Sequence, residues 1–288
     1  MPQPPARDHL PLVTSIAGPV LAPEEGAFLR AARPLGVILM GRNCVDRAQL
    51  RALTDSLRPL VPHILVDQEG GRVQRLKPPQ WPQYRPAAGM TIEEAVAQAG
   101  RIAADLVAAG IDVNCAPVLD VPEPGAHQVI GDRAFTGDVA AYARAVCAAY
   151  LAAGVTPVAK HIPGHGRART DSHHDLPVVD ASRAELEADL APFRGLPEGT
   201  WAMTAHVVYT ALDPAHPAST SRPVISAIRA DIGFAGVLLS DDVEMAALAQ
   251  YGDAPARARA CLDAGCDVAL YCGGDVAVAR VIAAAIHR

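Results

Sequence analysis

The chain has 288 residues, half of them hydrophobic and 19% charged, and its net charge is -6. Such a composition supports a sizeable buried core and lacks the basic footprint of a nucleic-acid binder. With 4% aromatic residues it is poorly supplied with stacking platforms, and no apolar run reaches the ~18 residues of a membrane-spanning helix.

Residues 1–9 have neither the charged start nor the apolar stretch of a signal peptide, so the expected setting is cytoplasmic and away from a membrane. From there two kinds of segment alternate. Short apolar runs at 12–16, 36–40, 63–67, 111–117, 155–160, 201–205, 236–240 and 266–271 predict eight strands. They are near-continuous, as expected for strands buried on both faces. Ala-, Leu-, Glu- and Arg-rich stretches predict helices over 23–33, 46–58, 92–109, 137–153, 182–193, 223–232, 254–264 and 274–287. Gly110 and Gly154 stand where the third and fourth helices should stop. Ser182 and Glu185 have capping-box spacing for the fifth. Eight units of about 36 residues each allow the crossovers that parallel strands need. They predict an α/β fold, a single-domain (β/α)8 TIM barrel over 1–288 with no second domain. A doubly wound open sheet is the structural alternative. The longest connections, 68–91, 118–136 and 161–181, follow the third, fourth and fifth strands. Cysteines at 44, 115, 147, 261, 266 and 272 form no CxxC pair and read as free thiols of a reducing compartment.

A barrel of this kind carries its active site at the C-terminal ends of its strands. Polar residues collect there. Strand 3 ends in Asp67, followed by Gln68-Glu69-Gly70-Gly71-Arg72-Val73-Gln74-Arg75. Strand 4 runs to Asp120 and a loop with Gly131-Asp132-Arg133. Strand 5 ends in Lys160-His161, strand 6 in His206 and strand 7 in Asp241-Asp242. Simpler roles exist for some of these: Asp242 as a helix N-cap, Asp120 as a turn residue, Glu69 and Arg72 as a mutual salt bridge. Asp67, Lys160, His173 and Asp241 are the candidates that the clustering favours. In the loop after strand 5, Pro163, Gly164 and Gly166 forbid a regular helix, so His161 and His165 are not a helical zinc pair. In an extended stretch Asp171 and His173 point to one side, the arrangement of a general acid/base pair.

At this point the motifs resemble glycoside hydrolase family 3, and more narrowly its bacterial cytoplasmic beta-N-acetylhexosaminidases. The resemblance runs through Asp67-Gln68-Glu69-Gly70-Gly71-Arg72, the stretch from Gly110 to Val121, Gly131-Asp132-Arg133, Lys160 to Pro177, Ala205-His206 and Ser240-Asp241-Asp242. It implies retaining removal of terminal N-acetylglucosamine from muropeptides in peptidoglycan recycling. Asp241 would be the nucleophile, and His173 the general acid/base with Asp171 as its partner. Asp67, Arg75, Arg133, Lys160, His161 and His206 would bind the sugar. The substrate that the resemblance implies is a small carbohydrate or muropeptide; no cofactor and no metal are expected, and the chain is expected to be a monomer. Two other readings compete. A metal-dependent barrel hydrolase could use His161, His165, His173, His174 and His206, but Lys160 and the nearby arginines would repel a cation. An inactive sugar-binding relative should lack Asp241 or His173, and both are present.

Overall fold

Eight short strands, almost wholly apolar, leave no face to present to water, and they satisfy one another by closing into a ring. In the computed structural model, which describes residues 8–287, these are β1 (Leu10–Thr14), β2 (Pro34–Leu39), β3 (His63–Val66), β4 (Val113–Asn114), β5 (Thr156–Ile162), β6 (Trp201–Thr204), β7 (Leu238–Asp242) and β8 (Val268–Leu270). Each pairs in parallel with the next, and β8 returns to β1. The expected (β/α)8 barrel is thus observed, and the doubly wound sheet is excluded by closure. The sequence-based reading of the N-terminus concerns mainly residues 1–7, which lie outside the described residues.

The crossovers are α1 (Pro23–Ala32), α2 (Arg47–Leu57), α3 (Ile92–Ala108), α4 (Val139–Ala152), α5 (Glu187–Leu190), α6 (Arg222–Ala230), α7 (Ala254–Ala264) and α8 (Val276–Ile286). Most start where a short polar side chain can accept an orphan amide: Asp46, Thr91, Asp138, Ser221, Asp253 and Asp275. Gly110 and Gly154 adopt φ of +77° and +79° just past α3 and α4. Val13, Ile38, Leu65, Val113, Val158, Met203, Leu239 and Val268, one from each strand, belong to a buried cluster of strand residues and residues beside them, which fills the barrel. A larger cluster joins the outer faces of the strands to the helices. No helix among the described residues is long and apolar enough to cross a membrane.

Three elements fall well short of expectation; of these, β8 keeps only Val268–Leu270 of the expected 266–271. The fourth strand is confined to Val113–Asn114, because Pro117 has no amide to donate and the chain continues beside β5 through the single bridge Val118–Lys160. The fifth helix shrinks to Glu187–Leu190 plus the 3-10 turn Ala191–Phe193. The Ser182–Glu185 box does form, with Ser182 N–H donating to Glu185 Oε2 at 2.8 Å. The turns after it mix i to i+3 bonds (Asp189 N–H to Leu186 at 3.0 Å) with i to i+4 bonds (Leu190 N–H to Leu186 at 3.0 Å), and Pro192 lies just beyond. The C-terminal rim carries two additions, a hairpin of Gln68–Gly70 with Val73–Gln74 and a small sheet of Val178–Val179, Val208–Tyr209 and Asp213–Pro217.

Candidate active site

The rim brings together residues far apart in the chain, such as Asp67 and Lys160, 93 positions apart. Lys160, in β5, is 3% exposed and lies between two carboxylates, with Nζ 2.8 Å from Asp67 Oδ1 and 2.6 Å from Glu69 Oε1. Asp67 also accepts from Arg75 at 3.0 Å, and Glu69 is gripped in bidentate fashion by Arg133 at 2.9 Å on both oxygens. Burial opposes the charge on Asp67, but Lys160 and Arg75 hold its carboxyl well below the usual aspartate range. Glu69 is lowered against burial in the same way by Lys160 and Arg133. The alternative salt bridge of Glu69 with Arg72 does not form. The hairpin turns Glu69 inward, whereas Arg72 reaches Asp132 at 3.0 Å and the carbonyls of Gln128, Val129 and Ile130.

A third buried carboxylate orders the next turn of chain. Asp120 is fully buried, and it accepts from His161 Nδ1 at 2.7 Å and from the amides of His161 and His165 at 3.1 and 2.6 Å. Burial opposes its ionisation, yet the two histidines lower its pKa to about 2. It is an anchor rather than a turn residue. Since a carboxylate only accepts, His161 carries its proton on Nδ1 and leaves Nε2 open.

Asp241 and Asp242 end β7, which reaches further than the expected 236–240. The Asp242 amide donates to Asp241 Oδ1 at 2.8 Å. Burial works against the Asp241 charge, but His206, His161, this amide and Lys160 outweigh it and hold the carboxyl below its ordinary value. Asp242 goes the other way: burial, with Asp241 and Glu244 adding to it, raises its pKa to about 6. Asp242 caps no α-helix; its Oδ1 accepts from the amides of Glu244 and Cys272 at 3.1 and 3.2 Å. His206 stands behind this wall. It is fully buried, its Nδ1 meets Ser219 Oγ at 2.6 Å, and its Nε2 donates to the Asp242 carbonyl at 3.0 Å. The expected sugar ligand is thus not among the residues that line the cavity.

The loop after β5 is held at its base. Tyr209 donates to the Gly164 carbonyl at 2.6 Å, and Arg167 donates to Asp189 at 2.5 Å and also pairs with Glu123. Gly166 has no room for a side chain, because a Cβ there would stand 2.0 Å from the Val121 carbonyl oxygen. Gly166→Ala should therefore displace the loop, lower stability by about 1–3 kcal/mol and cut activity at least about tenfold. Thermal melting and steady-state kinetics check this, and wild-type values for both would refute a rigid docking of the loop. At the tip, His173 Nδ1 donates to Asp171 Oδ1 at 2.7 Å, and His173 is 60% exposed. Asp67, Glu69, Arg75, Arg133, Lys160, His161, His173 and Asp241 face one cavity of about 270 Å³, completed by apolar side chains such as Met40, Met203 and Met245. That volume falls just below the ~300–1,000 Å³ typical of drug-sized ligands and suits one small polar ring.

The glycosyl hydrolase family 3 N-terminal domain matches residues 23–288. The chain belongs to glycosyl hydrolase family 3. It is 41% identical to the beta-hexosaminidase of Alkalilimnicola ehrlichii over 94% of this chain and 83% of that enzyme. NagZ from Neisseria gonorrhoeae, solved in complex with N-trifluoroacetyl-D-glucosamine, superposes with a TM-score of 0.84 at 35% identity, over 96% of this chain and 88% of that one. A family 3 beta-N-acetylglucosaminidase from Paenibacillus gives a TM-score of 0.88 at 30% identity, with 96% of this chain covering 56% of that one.

Within this family 3 hydrolase the residues read from the sequence divide in two. Asp67, Arg75, Arg133, Lys160, His161, His173 and Asp241 converge on the cavity, whereas His206 and Asp171 support its wall and rim. Glu69, His165 and Ser172 line it too; the sequence reading gave Glu69 and Ser172 no binding or catalytic role, and His165 one only in the metal alternative. Glu69 lay within the matched motif, so its position alone could have flagged it. Cys272, one of six free thiols, also reaches the cavity. Four of the five histidines of the metal reading are bonded to other side chains, His161 to Asp120, His206 to Ser219, His165 to Ser172 and His173 to Asp171. Among the described residues no group of three or more His, Cys, Asp or Glu is arranged to hold a metal ion.

Proposed function

We propose that this glycoside hydrolase is a retaining exo-beta-N-acetylglucosaminidase that removes terminal non-reducing N-acetylglucosamine from muropeptides. The observation that carries the reading is the presence of Asp241 and His173 on the wall of one small polar cavity. The beta-hexosaminidase relatives and the N-trifluoroacetylglucosamine complex of the gonococcal protein support the sugar class.

In the first step an Asp241 oxygen attacks the anomeric carbon, the glycosidic C–O bond breaks, and His173 Nε2 gives its proton to the leaving oxygen. In the second, water attacks the same carbon, His173 takes a proton from it, and the Asp241 carboxylate is released. An imidazole suits both duties because it titrates near ~6.5. The bond from Nδ1 to Asp171 directs Nε2 to the reacting oxygen. Although burial opposes it, the bonds from His173 hold Asp171 below its ordinary value, so it stays a carboxylate. Asp67, Glu69, Lys160, Arg75, Arg133 and His161 would partner the ring hydroxyls, each of which needs a partner once buried. The described barrel would then act as one catalytic unit that supplies its own acid, in a reducing, cytoplasmic setting compatible with six unpaired cysteines.

Wild-type enzyme should release nitrophenol from 4-nitrophenyl N-acetyl-beta-glucosaminide, form the beta-anomer first by NMR, and keep its activity in a chelator. His173→Ala should lose about 10²–10⁴-fold on chitobiose and far less on a dinitrophenyl glycoside, whose leaving group needs no acid. Absence of hydrolysis, an alpha product or an equal loss on both substrates would each refute the corresponding part of the reading.

A further inference from the structure

The acid/base role leaves the placement of His173 unexplained. Its side chain is largely exposed, and its partner Asp171 sits two residues away on the same loop, so the pair could move together without facing Asp241. The residue between them behaves differently. Ser172 is 2% exposed, its Oγ lies 3.1 Å from His165 Nε2, and its carbonyl accepts from the Ala247 amide at 3.3 Å. These partners belong to the two walls that matter. His165 is buried, and its amide donates to Asp120 at 2.6 Å, at the end of the chain leaving β4. Ala247 lies in the segment that follows Asp241 and Asp242 out of β7. Burial keeps the His165 ring neutral, with its pKa drawn down to about 4, so one ring nitrogen accepts. Its Nδ1 has no partner among the described residues, so Ser172 is the side chain to which the ring is bonded.

We infer that Ser172 is a positioning residue for His173: its hydroxyl on His165 and its carbonyl on Ala247 fix the loop so that the imidazole faces the cavity holding Asp241. The inference rests on the acid/base reading of His173. It extends that reading by tying the acid to both neighbouring walls through an ordered path, Asp120 to His165 to Ser172 to His173. Misplacing a reacting group by about 1 Å can cost about 10²-fold in rate. Loss of the hydroxyl should therefore weaken proton transfer while leaving the nucleophile and the sugar contacts intact.

The test compares wild type, Ser172→Ala, Ser172→Thr and His165→Phe on chitobiose and on 2,4-dinitrophenyl N-acetyl-beta-glucosaminide. For Ser172→Ala, kcat/KM on chitobiose should fall about 10- to 100-fold and on the dinitrophenyl substrate no more than about threefold. Azide, which attacks the glycosyl-enzyme without base help, should raise its kcat and yield the glycosyl azide. Ser172→Thr keeps a hydroxyl and should recover most of the chitobiose activity. His165→Phe removes the acceptor instead and should reproduce the split, which covers the case of an unfolded Ser172→Ala. An active wild type whose Ser172→Ala and His165→Phe variants lose equally on both substrates, or lose nothing, overturns the positioning role alone. A wild type inactive on both substrates overturns the proposed function, and the positioning role with it.

Discussion

Asp241→Asn should cut hydrolysis of every beta-N-acetylglucosaminide by at least about 10⁴-fold while leaving the barrel folded. The amide is isosteric, and its oxygen can still accept the Asp242 N–H that meets Asp241 Oδ1 at 2.8 Å, so the end of β7 keeps its local bond. What disappears is the anion proposed as the nucleophile, which the surroundings hold ionised against burial. Nothing else on the cavity wall replaces it. Asp242, the adjacent carboxyl, is raised to about 6 and has Oδ1 tied to the amides of Glu244 and Cys272. The Asp241 charge is one of the causes that raise Asp242, so in Asp241→Asn the Asp242 titration should move down, which NMR can follow. A complementary sign comes from His173→Ala, in which the second step lacks its base. An activated substrate should then leave a glycosyl adduct visible by intact mass, and the double variant with Asp241→Asn should not form it. A variant that keeps more than about a tenth of wild-type activity, or an adduct that survives in the double variant, would remove Asp241 from the nucleophile role.

The barrel was legible because its cause is local. Eight apolar runs, each bounded by turn residues, carry their own signal, and glycines such as Gly110 and Gly154 adopt the positive φ that their places after helices suggested. The two largest shortfalls in length stand beside prolines: Pro117 interrupts the ladder after β4, and Pro192 stands just beyond the shortened α5. At the site, the Asp171–His173 pair was expected from i,i+2 spacing in extended chain; the two side chains do lie 2.7 Å apart, but the backbone there is a turn, with the His174 and Asp175 amides donating to the Asp171 carbonyl at 2.9 and 3.0 Å. Long-range pairing was less accessible. That Glu69 meets Arg133, 64 residues away, rather than Arg72 depends on which way a three-residue strand turns its side chains. His206 stands at the end of β6, as its position promised, but the ring faces Ser219 and the Asp242 carbonyl, a direction that only the packed barrel determines. Ser172 gave no signal at all, since its importance lies in a buried bond to His165 across a loop without regular structure.

Lys160→Met should lower stability by about 3 kcal/mol at neutral pH and reduce kcat/KM by about 10²-fold or more. The lysine is 3% exposed and sits 2.8 and 2.6 Å from Asp67 and Glu69. Burial alone would lower its pKa, but the two carboxylates raise it well above the usual lysine range, so it is permanently charged. Removing it leaves two buried carboxylates facing each other, each with one arginine: Arg75 for Asp67 and Arg133 for Glu69. Those arginines keep the penalty near the lower end of the 3–5 kcal/mol range for breaking a buried pair. The sign of the pH dependence follows. Asp67 and Glu69 have depressed folded-state pKa values, so their contribution is complete above the unfolded values near ~4 and fades as pH falls through the folded ones. Lys160 is raised, so its contribution is complete below its unfolded value near ~10.4 and fades above that. The deficit of Lys160→Met should therefore be greatest between about pH 5 and 10 and shrink on acidification, once the orphaned carboxylates can take up protons. Urea unfolding at pH 7 and at pH 4 measures the difference. A deficit equal at both pH values, or one under about 1 kcal/mol at pH 7, would mean that the lysine does not hold the two carboxylates in their ionised state. The methyl thioether fills much of the lysine stem's volume but donates nothing, so a loss of activity that outlasts full recovery of fold at pH 7 would assign the remainder to missing contact with the sugar hydroxyls.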